Sequence, residues 1–517
     1  MKRVLRVCVC VAAALWAGAC SSGSSPVTVT PPPNIFSNSN LQGQYAFSMT
    51  GTTVDQTTGI GVPFTRTGSF IADGKGAITG GTEDVNLIFA NGGAGELPFT
   101  GGSYTVNGDG RGTLSLIDST GTLTFSITLT SSTSGYLVDM PTDFQSAGNG
   151  SFVKQNTASF QVSGLSGNYA FDISGVDANG TPESVVGQLV SNSAGTFSGF
   201  VDDNDGAIVN GGVAGAATIA GTYGIDGTQP GDLANFGRGV FSIGGIKGVF
   251  YIVGPNQVKL METTSGGTLL GDAFLQSNIP TTSAGISGGF VYAMGGSGSG
   301  APFTRGGKFS ASGGALSSVI VDNNNAGQPL SLGPVNGAYT IDPSGNGRGT
   351  ITFNVPGFTD AFTYVFYLIS PTQAFVQDQS LNVVEDGSML AQGSGTISNS
   401  SLAGNYAINW SGVTSTSAGT GEEDLVGATA LSSGAITGTV DINDFGPGGQ
   451  ATGIVLTGTL TLGADPTGRN ALTVNLATPA ASPITAFAYV AANNNILFVS
   501  TQKNVRVMVG VLTPQAP

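Results

Sequence analysis

The sequence predicts an all-β protein built as four tandem antiparallel modules, most simply four eight-stranded up-and-down barrels, with an immunoglobulin-like β-sandwich as the alternative. Three observations carry this. The motif Leu-x-Gly-x-Tyr recurs as Leu41, Gly43, Tyr45, as Leu165, Gly167, Tyr169, as Ile286, Gly288, Phe290 and as Leu402, Gly404, Tyr406. Its starts lie 124, 121 and 116 residues apart, the size of independent domains rather than of short solenoid repeats. Apolar residues alternate with Thr and Ser at period two, as in Leu123, Phe125, Ile127 and Leu129 against Thr122, Thr124, Ser126, Thr128 and Thr130.

The chain opens with a cationic stretch, Lys2, Arg3 and Arg6, then the apolar run Val7 to Ala19, too short to span a bilayer comfortably and so read as a secretory signal over residues 1–19. Cys8 and Cys10 would leave with it. Cys20 is then the one thiol of the mature chain, so no intramolecular disulfide can form. The stretch Ala17-Gly18-Ala19-Cys20 resembles the lipobox of bacterial lipoproteins. That resemblance implies cleavage before Cys20, lipidation of its sulfur with palmitate-type acyl chains, and a membrane anchor. Ser21 and Ser22 stand where the enteric lipoprotein pattern would carry an inner-membrane retention Asp, which places the expected location at the outer membrane or cell surface. Residues 20–38, rich in Ser, Thr and Pro, read as the lipidated cysteine and a flexible tether.

The modules follow at 39–157, 163–278, 284–393 and 400–515. In the first, eight strands are expected near 45–50, 64–72, 76–86, 100–107, 111–118, 122–130, 135–140 and 149–155, parted by turn signals such as Asp73-Gly74 and Asn107-Gly108-Asp109-Gly110. Eight short strands joined in sequence order suit a meander, and closing it removes the unpaired edges. At the level of architecture alone, each module resembles the barrels of avidins and lipocalins, whose ligand residues have no counterparts here. A membrane-spanning barrel would accommodate the doubly apolar runs Val249–Val253 and Tyr364–Leu368, but most strands carry Thr or Ser on their outward face. Short Ser- and Thr-rich linkers predict beads on a string rather than one body.

Composition excludes several functions. The chain holds 16 Lys and Arg against 31 Asp and Glu, with no histidine. Loss of Lys2, Arg3 and Arg6 leaves a mature net charge near −18, a polyanion that nucleic acid would repel. Without histidine there is no Ser-His-Asp or Cys-His nucleophile, nor a usual zinc site. Paired carboxylates would still serve glycoside hydrolysis, and the candidates are Glu83 with Asp84 and Glu422 with Asp424. The acidic run Glu422, Glu423, Asp424 otherwise reads as a solvated loop.

Two polar features recur. Near the end of the third strand an Asp is followed two residues on by Asn or Asp: Asp84 and Asn86, Asp203 and Asp205, Asp322 and Asn324, Asp441 and Asn443. Two residues apart on a strand is one face, so each pair offers oxygens to a sugar, or to calcium as the one cofactor considered, although none completes a calcium loop. The plainer reading is an Asx side chain capping a turn. An arginine starts the fifth strand of every copy, Arg111, Arg238, Arg348 and Arg469, and reads either as an ion pair with the Asp of its own module or as a solvated arginine at a turn tip. The columns Tyr45, Tyr169, Phe290, Tyr406 and Met49, Ile173, Met294, Trp410 read as core. No catalytic residue is assigned. The sequence therefore predicts a lipoprotein whose four modules act as a multivalent binding or adhesion protein for a glycan or protein ligand, the alternative being an envelope spacer.

Overall fold

The computed structural model describes residues 35–517 except 56–58, 88–94, 207–208, 211–215, 227–232, 244–245, 265–266, 417–418, 446–447, 465–466, 468 and 478–482. Cys20 and the segment before it lie outside the described residues. Four eight-stranded antiparallel barrels follow one another along the chain, each closed on itself. In the first, the strands are Gln42–Val54, Gly61–Asp73, Ala77–Leu87, a fourth split into Gly95–Phe99 and Gly101–Val106, then Arg111–Ile117, Thr122–Ser131, Ser134–Asp139 and Ser146–Lys154. The first strand pairs with both the second and the eighth, which closes the sheet. The fourth strand is also split in barrel 2, and runs unbroken as Gln328–Ile341 in barrel 3 and Gly449–Thr461 in barrel 4.

The recurrent motif opens each barrel. Its glycine has φ of +111° at Gly43, +113° at Gly167 and +100° at Gly288, backbone that a side chain at Cβ would strain. This lets the chain turn from a short 3-10 segment (Asn38–Asn40, Val162–Gly164 and Ser283–Gly285 in the first three copies) into the first strand. The preceding Leu41, Leu165, Ile286 or Leu402 is buried beneath the barrel floor. In three barrels a tyrosine of the fourth strand donates its hydroxyl to that residue's carbonyl: Tyr104 to Leu41 at 2.8 Å, Tyr223 to Leu165 at 3.1 Å, Tyr339 to Ile286 at 2.7 Å. Inward residues give each barrel its own core, including both recurrent apolar columns.

The expected string of beads is not what forms. Residues Pro32–Pro517 make one compact unit. The first-to-third-strand flank of each barrel packs on strands five to eight of the next, and barrel 4 packs in the same way on barrel 1. The result is a ring of four, one head-to-tail interface used four times and closed on itself. The physical reason is on the outward faces. Tyr251 and Val253 are apolar because they are covered by Ala46 and Val153 of barrel 1, and Val365, Tyr367 and Ile369 because they lie on Ala170 and Val186 of barrel 2. Tyr489, Leu497 and Val499 likewise cover Val291 and Ala293 of barrel 3. The doubly apolar strands are seams.

Candidate functional site

The recurrent polar residues meet at these seams, between barrels rather than within one. Arg238 of barrel 2 binds Asp84 of barrel 1 bidentately, Nε to Oδ2 at 2.8 Å and Nη2 to Oδ1 at 2.7 Å. Arg348 of barrel 3 holds Asp202 of barrel 2 through two bonds of 2.7 Å. Arg469 of barrel 4 holds Asp322 of barrel 3 at 2.9 Å. Arg111 of barrel 1 completes the cycle on Asp441 of barrel 4, by a single bond of 3.3 Å. The expectation of a pair inside one module is thus corrected. Asp on the third strand and Arg on the fifth stand on opposite flanks of their barrel, so each finds the neighbour's.

In the second copy the equivalent pair is Asp202 and Asn204, one residue before the expected Asp203 and Asp205. Asp203 turns inward, pairing in register with Val185, which is a core residue. The Asn of each copy donates to backbone carbonyls of the next barrel. Asn86 bonds Glu262 O at 2.8 Å and Gly267 O at 2.6 Å, and Asn204 bonds Asp378 O and Val383 O, both at 2.8 Å. Asn324 bonds Arg506 O at 2.8 Å, and Asn443 bonds Asp139 O at 2.7 Å and Ser146 O at 2.9 Å. The oxygens of Asp84, Asp202 and Asp322 and the amides of all four Asn are engaged by the next barrel, so the geometry at these positions is that of a clasp.

Two further members of the clasp escaped the sequence reading. A tyrosine of the sixth strand donates to the same carboxylate: Tyr251 to Asp84 at 2.7 Å, Tyr367 to Asp202 at 2.8 Å, and Tyr489 to Asp322. A glutamine closing each copy reaches the next barrel's sixth strand, Gln155 to Ile252 O at 2.6 Å, Gln276 to Leu368 O at 2.6 Å, Gln392 to Val490 O at 3.1 Å and Gln515 to Leu129 O at 2.8 Å. Their regular spacing was the available signal.

The carboxylate pairs considered for glycoside hydrolysis do not assemble a site. Glu83 points into barrel 1 against Arg66 at 2.8 Å, whereas Asp84 points out to the seam. Burial pushes Glu83 up to about 7 even with Arg66 opposing it. The run Glu422, Glu423, Asp424 lies in the strand Gly419–Ser432 and not in a solvated loop. Glu423 is buried inside barrel 4 on Arg506 at 2.8 Å, and Asp424 is buried in the seam against barrel 1. Burial raises Glu422 to about 7, and burial and then the Glu422 charge raise Asp424 well above the usual carboxylate range. Glu422 borders an open depression of about 530 Å³ shared by barrels 1, 3 and 4, which does not reach the sealed Asp424. Charges were buried here because a partner or a shared proton offsets the desolvation cost.

No protein-family model and no curated protein matches the chain. Among solved structures it is similar to Transferrin Binding Protein B of Haemophilus parasuis Hp5, at 8% identity and a TM-score of 0.20, over 74% of this chain and 82% of that one. A second is the isotype 1 Transferrin binding protein B of serogroup B Neisseria meningitidis, at 11% identity and a TM-score of 0.21, over 74% and 84%. A third is the intact Ap-TbpB with its N and C lobes, at 10% and 0.15, over 73% and 82%. Likeness at this level adds nothing to the barrels already described.

Proposed function

We propose that this chain is a lipid-anchored envelope protein that works by binding rather than by catalysis, and that it presents four barrel rims in a fixed ring. The observation that supports it most is where the repeated polar residues are spent. Asp84, Asp202, Asp322 and Asp441, with Asn86, Asn204, Asn324 and Asn443, hold barrel to barrel. A protein that devotes its repeated chemistry to locking four modules together gains rigid, multivalent display, which raises effective concentration without tight single contacts. Calcium has no part in this reading: Asp84 and Asp322, two of the carboxylates considered for it, are bonded to arginines of the next barrel.

The anchor is proposed on the sequence: acylation at Cys20, and a tether over 21–34 that stands the ring off the outer membrane. Replacing Cys20 with Ser should move the protein from the membrane fraction to the soluble one, and retention in the membrane would contradict the anchor. The second reading, an envelope spacer, is favoured by the same clasps, because a rigid ring holds distance without any ligand. A panel of glycans and peptides separates them. A ligand-dependent rise in melting temperature supports binding, and no shift across the panel supports the spacer.

A further inference from the structure

The four barrels differ inside. Towards the mouth opposite the entry turn, barrels 1, 3 and 4 each set an inward arginine on an inward acid: Arg66 on Glu83, Arg305 on Glu385 and Arg506 on Glu423, each at 2.8 Å. Barrel 2 breaks the pattern. The register places Val185 opposite Asp203 where barrels 1 and 3 place Arg66 opposite Val85 and Arg305 opposite Asn323. The only cations in residues 163–278 are Arg238, Lys247 and Lys259. Arg238 and Lys259 turn outward to barrel 1, and Lys247 turns outward into the groove beside Asp84 and Glu96. The acids nonetheless remain. Glu183, Asp203 and Glu262 continue the inward columns of Val185, Val201 and Leu260 towards the mouth. Burial, and then the charges of Asp203 and Glu262, push Glu183 up to about 8. Burial and Asp205 bring Asp203 to about 6.

Beneath these acids the barrel is underfilled. Of the apolar residues described in its core 13 are buried and eight, among them Leu189, Val201, Tyr223 and Ile243, are only half-buried, against three, five and three half-buried in barrels 1, 3 and 4. A cavity of about 70 Å³ remains, walled by Phe171, Ile173, Phe197, Phe250, Leu260 and Tyr223. The floor is sealed by the Tyr223 hydroxyl on Leu165 O. Glu262 is the next inward residue above the cavity-lining Leu260, roughly 7 Å further along the strand. Voids of this kind stay dry and accept apolar groups.

We infer that barrel 2 binds a short alkylammonium ion, its tail in the apolar cavity and its charge among Glu183, Asp203 and Glu262, so that a ligand supplies the stem and cation which arginine supplies in the other three barrels. Space for two or three methylene-sized groups, at about 30 Å³ each, together with the roughly 7 Å between the cavity and the acids, limits the chain to about five carbons. This site lies just inside the mouth of barrel 2 and stands whether or not the barrel rims bind a macromolecule.

The test is calorimetry on the full chain at pH 8.5 with pentylammonium, 1-pentanol and ammonium chloride. Pentylammonium should bind once per chain and at least tenfold more tightly than pentanol, with no comparable heat from ammonium. Glu262→Gln should weaken pentylammonium at least tenfold and leave pentanol unchanged. Val185→Arg, which rebuilds the internal cation, should abolish pentylammonium binding while the protein still melts cooperatively. Equal affinity for pentylammonium and pentanol, no binding of either, or pentylammonium binding indifferent to Glu262→Gln would overturn the assignment.

Discussion

Three of the four seams join barrels that are also joined by the chain, and the fourth joins barrel 4 to barrel 1 across the two ends. The three linked seams carry a bidentate or doubly bonded Arg on Asp, a tyrosine on the same carboxylate, and an apolar cluster beside it. The closing seam has one Arg111 to Asp441 bond at 3.3 Å, and the tyrosine position is Thr128. Its outward sixth-strand residues are Ser126, Thr128 and Thr130, and it is held by amides and hydroxyls instead, such as Tyr136 with Thr513 at 2.7 Å and Ala516 N on Thr130 O at 2.8 Å. The same interface has been kept in outline and loosened in substance where the chain does not enforce it. A closing contact is intramolecular, so modest interactions suffice to hold it.

The largest contrast should appear when a carboxylate is removed. Asp322→Ala strands Arg469, which is buried, and should cost about 3–5 kcal/mol by urea denaturation. Asp441→Ala strands only a partly exposed Arg111 that keeps Asp109 at 2.9 Å, and should cost about 1 kcal/mol or less. Equal losses would erase the distinction between the seams. Next, Tyr367→Phe deletes a donor to a buried carboxylate and should cost about 1.5–3 kcal/mol. The Thr128 hydroxyl is buried without a hydrogen bond, so Thr128→Val should instead stabilise, by about 1 kcal/mol. A loss at Thr128→Val would mean that this hydroxyl has a role the geometry misses.

Protonation offers a gentler probe. Buried carboxylate pairs sit in the second and closing seams. Burial and the Asp386 charge raise Asp172 well above its usual range, and burial brings Asp386 to about 6. At the closing seam, Glu422 stands at about 7 beside the raised Asp424. Folded values above the unfolded ones, near 4, mean that the stability is fully present below about pH 4 and is lost as pH rises through 6 to 7. The melting temperature should therefore fall between pH 5 and 8, and Asp424→Asn should flatten the upper part of that fall. A profile rising over this range would contradict the assigned direction.

Much of the barrel was legible because period-two alternation reports which side chains face a core. The strands expected in the first copy and those found differ by a few residues at their ends, with the fourth strand beginning earlier, at Gly95, and broken at Thr100. What alternation does not report is what lies on the outward side. Val249 to Val253 and Tyr364 to Leu368 looked like exceptions, yet burial on both faces is what a seam requires. Thr122 to Thr130 looked regular because its seam is polar. The right Asp and Arg positions were visible in three copies and the partner was not, since strand order alone does not say that strands three and five lie on opposite flanks. In the second copy the adjacent acids Asp202 and Asp203 allowed a slip of one residue, which exchanges the seam face for the interior. The acidic run at 422–424 misled because charge usually means solvent, and here Arg506 and shared protons replace it.

The most direct test of a closed ring is a disulfide between its ends. Ser131 and Ala516 form a β-bridge across the closing seam, within the separation a disulfide needs. With Cys20 replaced by Ser, the Ser131→Cys, Ala516→Cys chain should oxidise almost completely to an intramolecular crosslink at low protein concentration, and the single-cysteine chains should not. Failure to crosslink, or crosslinking only between molecules, would contradict the ring.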